Sequence, residues 1–142
     1  MHTKIEWLES VRFSATSGSG HTLVIDGPPD AGGENAGARP MELMLMGVGG
    51  CTSFDVVNIL RKSRQAVTGC TTQVTATRTD EVPQVFKEIH IHFEITGDDL
   101  DPARVARAIS LTAEKYCSAS IMLQRAGVDI SHTFEILPSQ LA

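Results

Sequence analysis

Two cysteines, Cys51 and Cys117, have the residue type and setting for covalent chemistry. A thiolate is a strong nucleophile, and its oxidation state can cycle through sulfenic acid and disulfide. Cys51 sits in Gly47-Val48-Gly49-Gly50-Cys51-Thr52-Ser53-Phe54-Asp55. One reading is a small buried residue filling a gap between helices, the common habit of helical Cys. The other is a reactive thiol. Glycines before it let a backbone or substrate come close, and Thr52 and Ser53 bring hydroxyls where a plain core helix would use Leu or Ala. Asp55 follows one turn later, a costly place for a carboxylate without a partner. Cys117 interrupts a helix within Tyr116-Cys117-Ser118-Ala119-Ser120. If the helix restarts at Ser118, the thiol lies at a helix N-terminus, where the dipole favours thiolate; core packing is the competing reading. Cys70 shares a strand face with Val74 and Ala76 and reads as a core residue. No Cys-x-x-Cys occurs, so a bond between Cys51 and Cys117 would need a tertiary contact that spacing alone does not reveal. His90-x-His92 with Glu94 places three metal-capable groups on one strand face, but a third firm ligand and a closed pocket are lacking. A solvated strand face is the expectation, with no metal and no cofactor.

The elements that must position these thiols follow from periodicity. Residues 3–26 read as short strands joined by turns such as Ser17-Gly18-Ser19-Gly20. Residues 27–40 are too rich in Gly and Pro for regular structure. Pro40 suits the first turn of a helix that runs from Met41 to about Gln65 and is apolar nearly all round, as a buried central helix should be. Its three glycines, Gly47, Gly49 and Gly50, imply close packing or a bend. Residues 68–79 and 85–96 alternate as neighbouring antiparallel strands. In the second, Val85, Ile89, Ile91, Phe93 and Ile95 point one way, and Phe86, Glu88, His90, His92 and Glu94 the other. Asp101-Pro102 opens a helix that turns Val105, Ala106, Ile109, Ala113 and Tyr116 to the core. Gly127 caps the next helical segment, and Asp129 to Leu137 forms a last strand. The order predicts an α+β fold in a single domain over residues 1–142.

Bulk properties remove other classes. Of the 142 residues, 42% are hydrophobic and 20% charged, enough to bury a core. The net charge of -5 leaves no basic excess for a nucleic-acid partner. The N-terminal residues lack an apolar h-region, so a cytoplasmic location is expected. The most apolar stretch, Leu43 to Leu60, contains Asp55, Asn58 and glycines, and reads as a buried helix in preference to a membrane span.

Pro40-Met41-Glu42-Leu43 through Gly49-Gly50-Cys51, followed by Glu114-Lys115-Tyr116-Cys117-Ser118, resembles the OsmC-like family of osmotically inducible and organic hydroperoxide resistance proteins. Gly-Gly-Cys before a polar helix face is most similar to its YhfA-like branch. The resemblance implies antiparallel sheets around a long central buried helix, and an intertwined homodimer with sites at the subunit interface. It implies a peroxidatic Cys matching Cys51 and a resolving Cys matching Cys117. The implied activity is thiol-dependent reduction of organic hydroperoxides, reset by a thiol reductant, of lipoyl type in the better-characterised branch. Met44, Met46, Phe54 and Met122 would then make the pocket apolar. In the peroxidase branches an Arg from an early strand turn activates the thiol, held by a Glu just after the helix-opening Pro. Here the turn at residues 17–20 has no Arg, Met41 follows Pro40, and the carboxylate is displaced to Glu42. Arg12, Arg39 and His21 are the candidate substitutes. Redox sensing, thiol–disulfide exchange and non-catalytic ligand binding by a dimer are the rival functions.

Overall fold

Three short strands open the chain: β1 (Thr3–Glu9), β2 (Arg12–Ser17) and β3 (Thr22–Ile25), an antiparallel meander in the order β1-β2-β3. They belong to the first of two compact units in the computed structural model, Met1–Met44, the second starting at Leu45. The structure describes residues 1–140. After β3 the Gly/Pro-rich segment is ordered around one side chain. Asp26, 2% exposed, accepts hydrogen bonds from the backbone N–H groups of Gly27 (2.8 Å), Glu34 (3.1 Å) and Ala36 (3.0 Å). The loop closes tightly enough that a Cβ on Gly33 would run into the Gly27 carbonyl, and one on Gly37 into that of Val24. These two glycines allow a close backbone approach that no other residue permits.

Helix α1 (Pro40–Lys62) begins with proline in its first turn, as expected. It ends three residues earlier than periodicity suggested, because Arg64 takes a left-handed φ of 60° and Gln65 N–H turns back to the Leu60 carbonyl. In the second unit, β4 (Ala66–Arg78), β5 (Phe86–Asp98) and β6 (Asp129–Pro138) form a sheet in the order β4-β5-β6. Between β5 and β6 come α2 (Pro102–Leu111), a π-helical turn (Thr112–Tyr116) and α3 (Ser118–Arg125). β4 and β5 pair antiparallel, as their alternation indicates. β6 runs parallel to β5, so this sheet is mixed where antiparallel pairing was expected. The helical crossover returns the chain to the end of the sheet from which β5 started.

The core of this unit joins Val48, Val56 and Leu60 of α1, Ile89, Ile91, Phe93 and Ile95 of β5, and Val105, Ala108 and Ile109 of α2. Each Val, Leu, Ile or Phe among them contributes roughly 1.5–3 kcal/mol by leaving water. Four expectations change in detail. α1 buries one stripe, Val48, Gly49, Thr52, Val56 and Leu60, not its whole circumference; Met46 (58% exposed) and Phe54 (72%) are open. Only Gly49 among the three helix glycines is crowded, where a Cβ would meet Val74 Cγ2 at 2.9 Å; Gly47 and Gly50 face open space. A register shift between Thr77 and Arg78 brings Phe86 into the core and leaves Val85 exposed, the reverse of strict alternation. In α2 the buried stripe is Val105, Ala108 and Ile109, continuing to Thr112, while Ala106 is exposed; the wider π turn then carries Tyr116 out to solvent.

Candidate functional site

The thiol of Cys117 is placed by a break in the helix. Across Thr112–Tyr116 the backbone widens until Cys117 N–H bonds the Thr112 carbonyl, five residues back. Cys117 itself is extended (φ -75°, ψ 98°) and stands as N-cap of α3. Its sulfur accepts from the Ser120 N–H at 3.5 Å, and the neighbouring Ala119 N–H acts to lower the Cys51 thiol. The start of α3 therefore directs two adjacent backbone donors at two sulfurs. Cys51 is half-buried on α1, and Cys117 is fully buried. Cys51 Sγ, a carboxylate oxygen of Asp55 and Cys117 Sγ all lie within 4.8 Å of one another.

Thr52 completes the group. Its Oγ1 lies 2.7 Å from the Val48 carbonyl and 3.2 Å from Cys117 Sγ. A hydroxyl has one proton to give. With Cys117 as a thiol it donates to the carbonyl and accepts from sulfur; with Cys117 as a thiolate it can donate to sulfur. Ser53 is a structural tie, donating to the Gly49 carbonyl at 2.6 Å and meeting Thr72 Oγ1 of β4 at 2.6 Å.

The two thiols are polarised in opposite directions. Burial acts to raise the Cys117 thiol, but hydrogen bonds from Ser120, Thr52 and Cys51 outweigh it and hold it below its ordinary value. Burial pushes the Cys51 thiol up, and the neighbouring Cys117 and Asp55 add to the rise against the Ala119 N–H. Asp55 is likewise raised by burial, and its Oδ2 is buried without a hydrogen-bond partner among the described residues. Asp55 also lines a cavity of about 430 Å³ with Asn58, Ile59, Lys62, Leu111 and Tyr116.

The other polar sequence candidates have partners of their own. Glu42 belongs to the N-terminal unit, where its carboxylate accepts from the Arg39 N–H at 3.5 Å, the backward arm of a capping box for α1. The three substitute cations are engaged within that unit: Arg12 with Glu9, Glu34 and Asp26, Arg39 with Asn35 and the Gly37 carbonyl, and His21 with Ser19. Cys70 is half-buried, not in the core, because β4 is an edge strand there, and it borders an open cavity beside Phe54 and Val57. Met44, Met46, Phe54 and Met122 are all exposed and do not enclose an apolar pocket. On the β5 face, His90 bonds Ser131 (2.7 Å) and Thr133 (2.9 Å), and His92 bonds Thr133 (2.7 Å) and approaches Glu135 (3.4 Å). Both ring nitrogens of each histidine are thus occupied. Two three-residue groups have ligand atoms close enough to share a cation, Cys51/Asp55/Cys117 and His92/Glu94/Glu135, each one short of a tetrahedral set. Sequence reasoning missed the donors at Ala119 and Ser120, although the run of small residues after Cys117 carries their signal.

Comparison with known proteins shows the family. Residues 32–133 match the family described as OsmC-like protein. The chain is 44% identical over 140 residues to Protein YhfA of Escherichia coli (strain K12), covering 96% of this chain and 98% of that protein. Among solved structures, a hypothetical protein from Aquifex aeolicus VF5 superposes with a TM-score of 0.84 at 26% identity, covering 98% of this chain and 97% of that one. An organic hydroperoxide resistance protein OsmC from Legionella pneumophila, described as a predicted redox protein, shares the fold at a TM-score of 0.71 and 18% identity, covering 94% and 95%. The motifs around Cys51 and Cys117, the order of elements and these matches together place the chain in the OsmC-like family.

Proposed function

We propose that this protein reduces organic hydroperoxides with Cys51 and Cys117, as part of oxidative-stress defence in the cytoplasm. The observation that carries the reading is the meeting of the two sulfurs, from distant parts of the chain, at the start of α3. Membership of a family with peroxide-resistance proteins supports it. Burial pushes the Cys51 thiol up, but Cys51 is the more accessible of the two, and its thiolate fraction attacks the terminal oxygen of ROOH while the buried Cys117 is kept for the second step. The O–O bond breaks, ROH leaves with a proton, and Cys51 becomes a sulfenic acid. Cys117 then attacks the sulfenic sulfur; water leaves and a Cys51–Cys117 disulfide forms. A dithiol reductant, lipoyl-type by resemblance, returns both thiols. Glu42 enters this reading by resemblance alone.

One stoichiometric dose of tert-butyl hydroperoxide should give an intramolecular Cys51–Cys117 disulfide, seen by mass spectrometry of peptides. In Cys117→Ser the same dose should leave a dimedone-trappable sulfenic acid on Cys51, and in Cys51→Ser nothing should form quickly. A wild-type protein whose Cys51 stays reduced under excess hydroperoxide would sink the reading and leave ligand binding by a dimer in its place.

The reading includes a homodimer. Helix α1 is by length and composition apolar enough to cross a membrane, with a mean hydropathy of 1.5, and 28% of that window is buried in the chain. Its open side presents Met46, Gly47, Gly50 and Phe54, a smooth apolar surface suited to a second copy. The sign of a Gly50→Ala change tests this. In a monomer it should stabilise by up to about 1 kcal/mol through helix propensity. Against a closely packed partner helix it should destabilise, and light scattering should show dissociation at lower dilution than for wild type.

A further inference from the structure

Resting on the peroxide reading above, we infer that Asp55 is the proton donor to the departing alcohol. Its carboxylate lies within 4.8 Å of both sulfurs, one Asp55 oxygen is buried without a partner, and the residue lines the adjoining cavity. It is thus within reach of both sulfurs and also borders a cavity of about 430 Å³.

Three acids crowded into one partly buried cluster do not ionise together, because each charge opposes the next. A cluster with a single negative charge holds two protons and can place the charge on any of the three groups. When the charge is on Cys51, Asp55 is necessarily a neutral carboxylic acid. Arming the nucleophile thus arms a proton donor beside it, much as one proton is shared in a carboxyl pair. Burial of Asp55 favours the same neutral form.

The protons and electrons then balance within the cluster. The Cys51 thiolate takes the terminal oxygen of ROOH, the O–O bond breaks, and RO accepts the Asp55 proton to leave as ROH. The negative charge now rests on Asp55, next to the thiol of Cys117. Asp55 accepts that proton as Cys117 attacks the sulfenic sulfur, and passes it to the departing hydroxide as water. Sulfur is oxidised by two electrons, the peroxide is reduced by two, and the carboxylate ends ionised until a dithiol restores the thiols.

A general acid matters most when the leaving group is poor. tert-Butoxide needs a proton to depart; acetate, expelled from peracetic acid, does not. The rate of first oxidation of the fully reduced full-length chain, by quenched-flow mass spectrometry, should be measured with both oxidants in wild type, Asp55→Asn and Asp55→Glu. Asp55→Asn should shift the ratio of the tert-butyl hydroperoxide rate to the peracetic acid rate by about 100-fold or more, the usual scale of general acid catalysis. Asp55→Glu should keep most of the wild-type ratio, which guards against a merely damaged site. An equal fall with both oxidants in Asp55→Asn, or no fall with either, would overturn the assignment while leaving the peroxide reading intact. Wild-type protein inert to tert-butyl hydroperoxide would overturn both.

Discussion

Asp26 and Asp55 are two carboxylates with buried oxygens in one chain, and their surroundings could hardly differ more. Asp26 organises the N-terminal unit. The Ala36 N–H and then, against the opposing cost of burial, those of Gly27 and Glu34 and the charge of Arg12 hold its carboxyl down to about 2. Asp55, in the thiol-bearing unit, has an unpartnered oxygen and is raised by burial. Burial opposes ionisation at both places, so partners decide the sign of the shift. A satisfied carboxylate fixes the backbone around it. An unsatisfied one keeps its lone pair for something else.

The largest effect expected from this contrast is on the N-terminal unit. Asp26→Asn should lower Tm by about 5 °C or more, since a carboxylate that gathers several donors is replaced by a neutral group with one acceptor. Arg12→Met should cost less, because the backbone amides rather than the guanidinium do most of the holding. The Asp26 contribution is fully present above the ordinary carboxyl value of 3.8 and is lost as pH falls through about 2. The gap in Tm between wild type and Asp26→Asn should therefore close on acidification. Equal Tm values at neutral pH would break the comparison.

A smaller effect of opposite sign is expected at Asp55. Asp55→Asn should leave stability unchanged or raise it by up to about 1 kcal/mol, the modest gain fitting a half-exposed residue. Its raised carboxyl favours folding at low pH and turns against it as pH rises past the ordinary value of 3.8. Any advantage of the variant should thus appear on going from acid to neutral pH, in denaturant titrations at several pH values. A marked loss of stability in Asp55→Asn at neutral pH would make the two carboxylates alike.

How much of this was legible in the sequence depended on whether a feature is local. The alternation through Ile89, Ile91, Phe93 and Ile95 marks β5 correctly because each side chain reports its own face. The switch at Val85 and Phe86 escapes that rule, since a register shift depends on the partner strand. Asp55 is conspicuous from sequence, a carboxylate one turn from a cysteine on an apolar helix. Its unpartnered oxygen is a tertiary fact. The parallel direction of β6 is set by a crossover, which periodicity does not encode. The nearness of Cys51 and Cys117 was implied only by family resemblance, and the atoms are indeed within 4.8 Å. Thr112 to Tyr116 reads as ordinary helix, because one residue too many in a turn leaves no compositional trace.

That extra residue makes the gene unusually sensitive at one place. A π turn is an α-helix with a single residue inserted, and removing one restores regular winding. Each residue turns the helix by about 100°. An in-frame loss of one codon between Thr112 and Tyr116 would leave a chain with its strands, core and charge almost unaltered. Cys117 would no longer stand as N-cap of α3, and the two amide donors would no longer face the sulfurs. Such an allele should yield a folded product that, on the peroxide reading, is slow to form the Cys51–Cys117 disulfide. In a survey of natural variants, the length of this segment would then matter to that chemistry even where both cysteines are present.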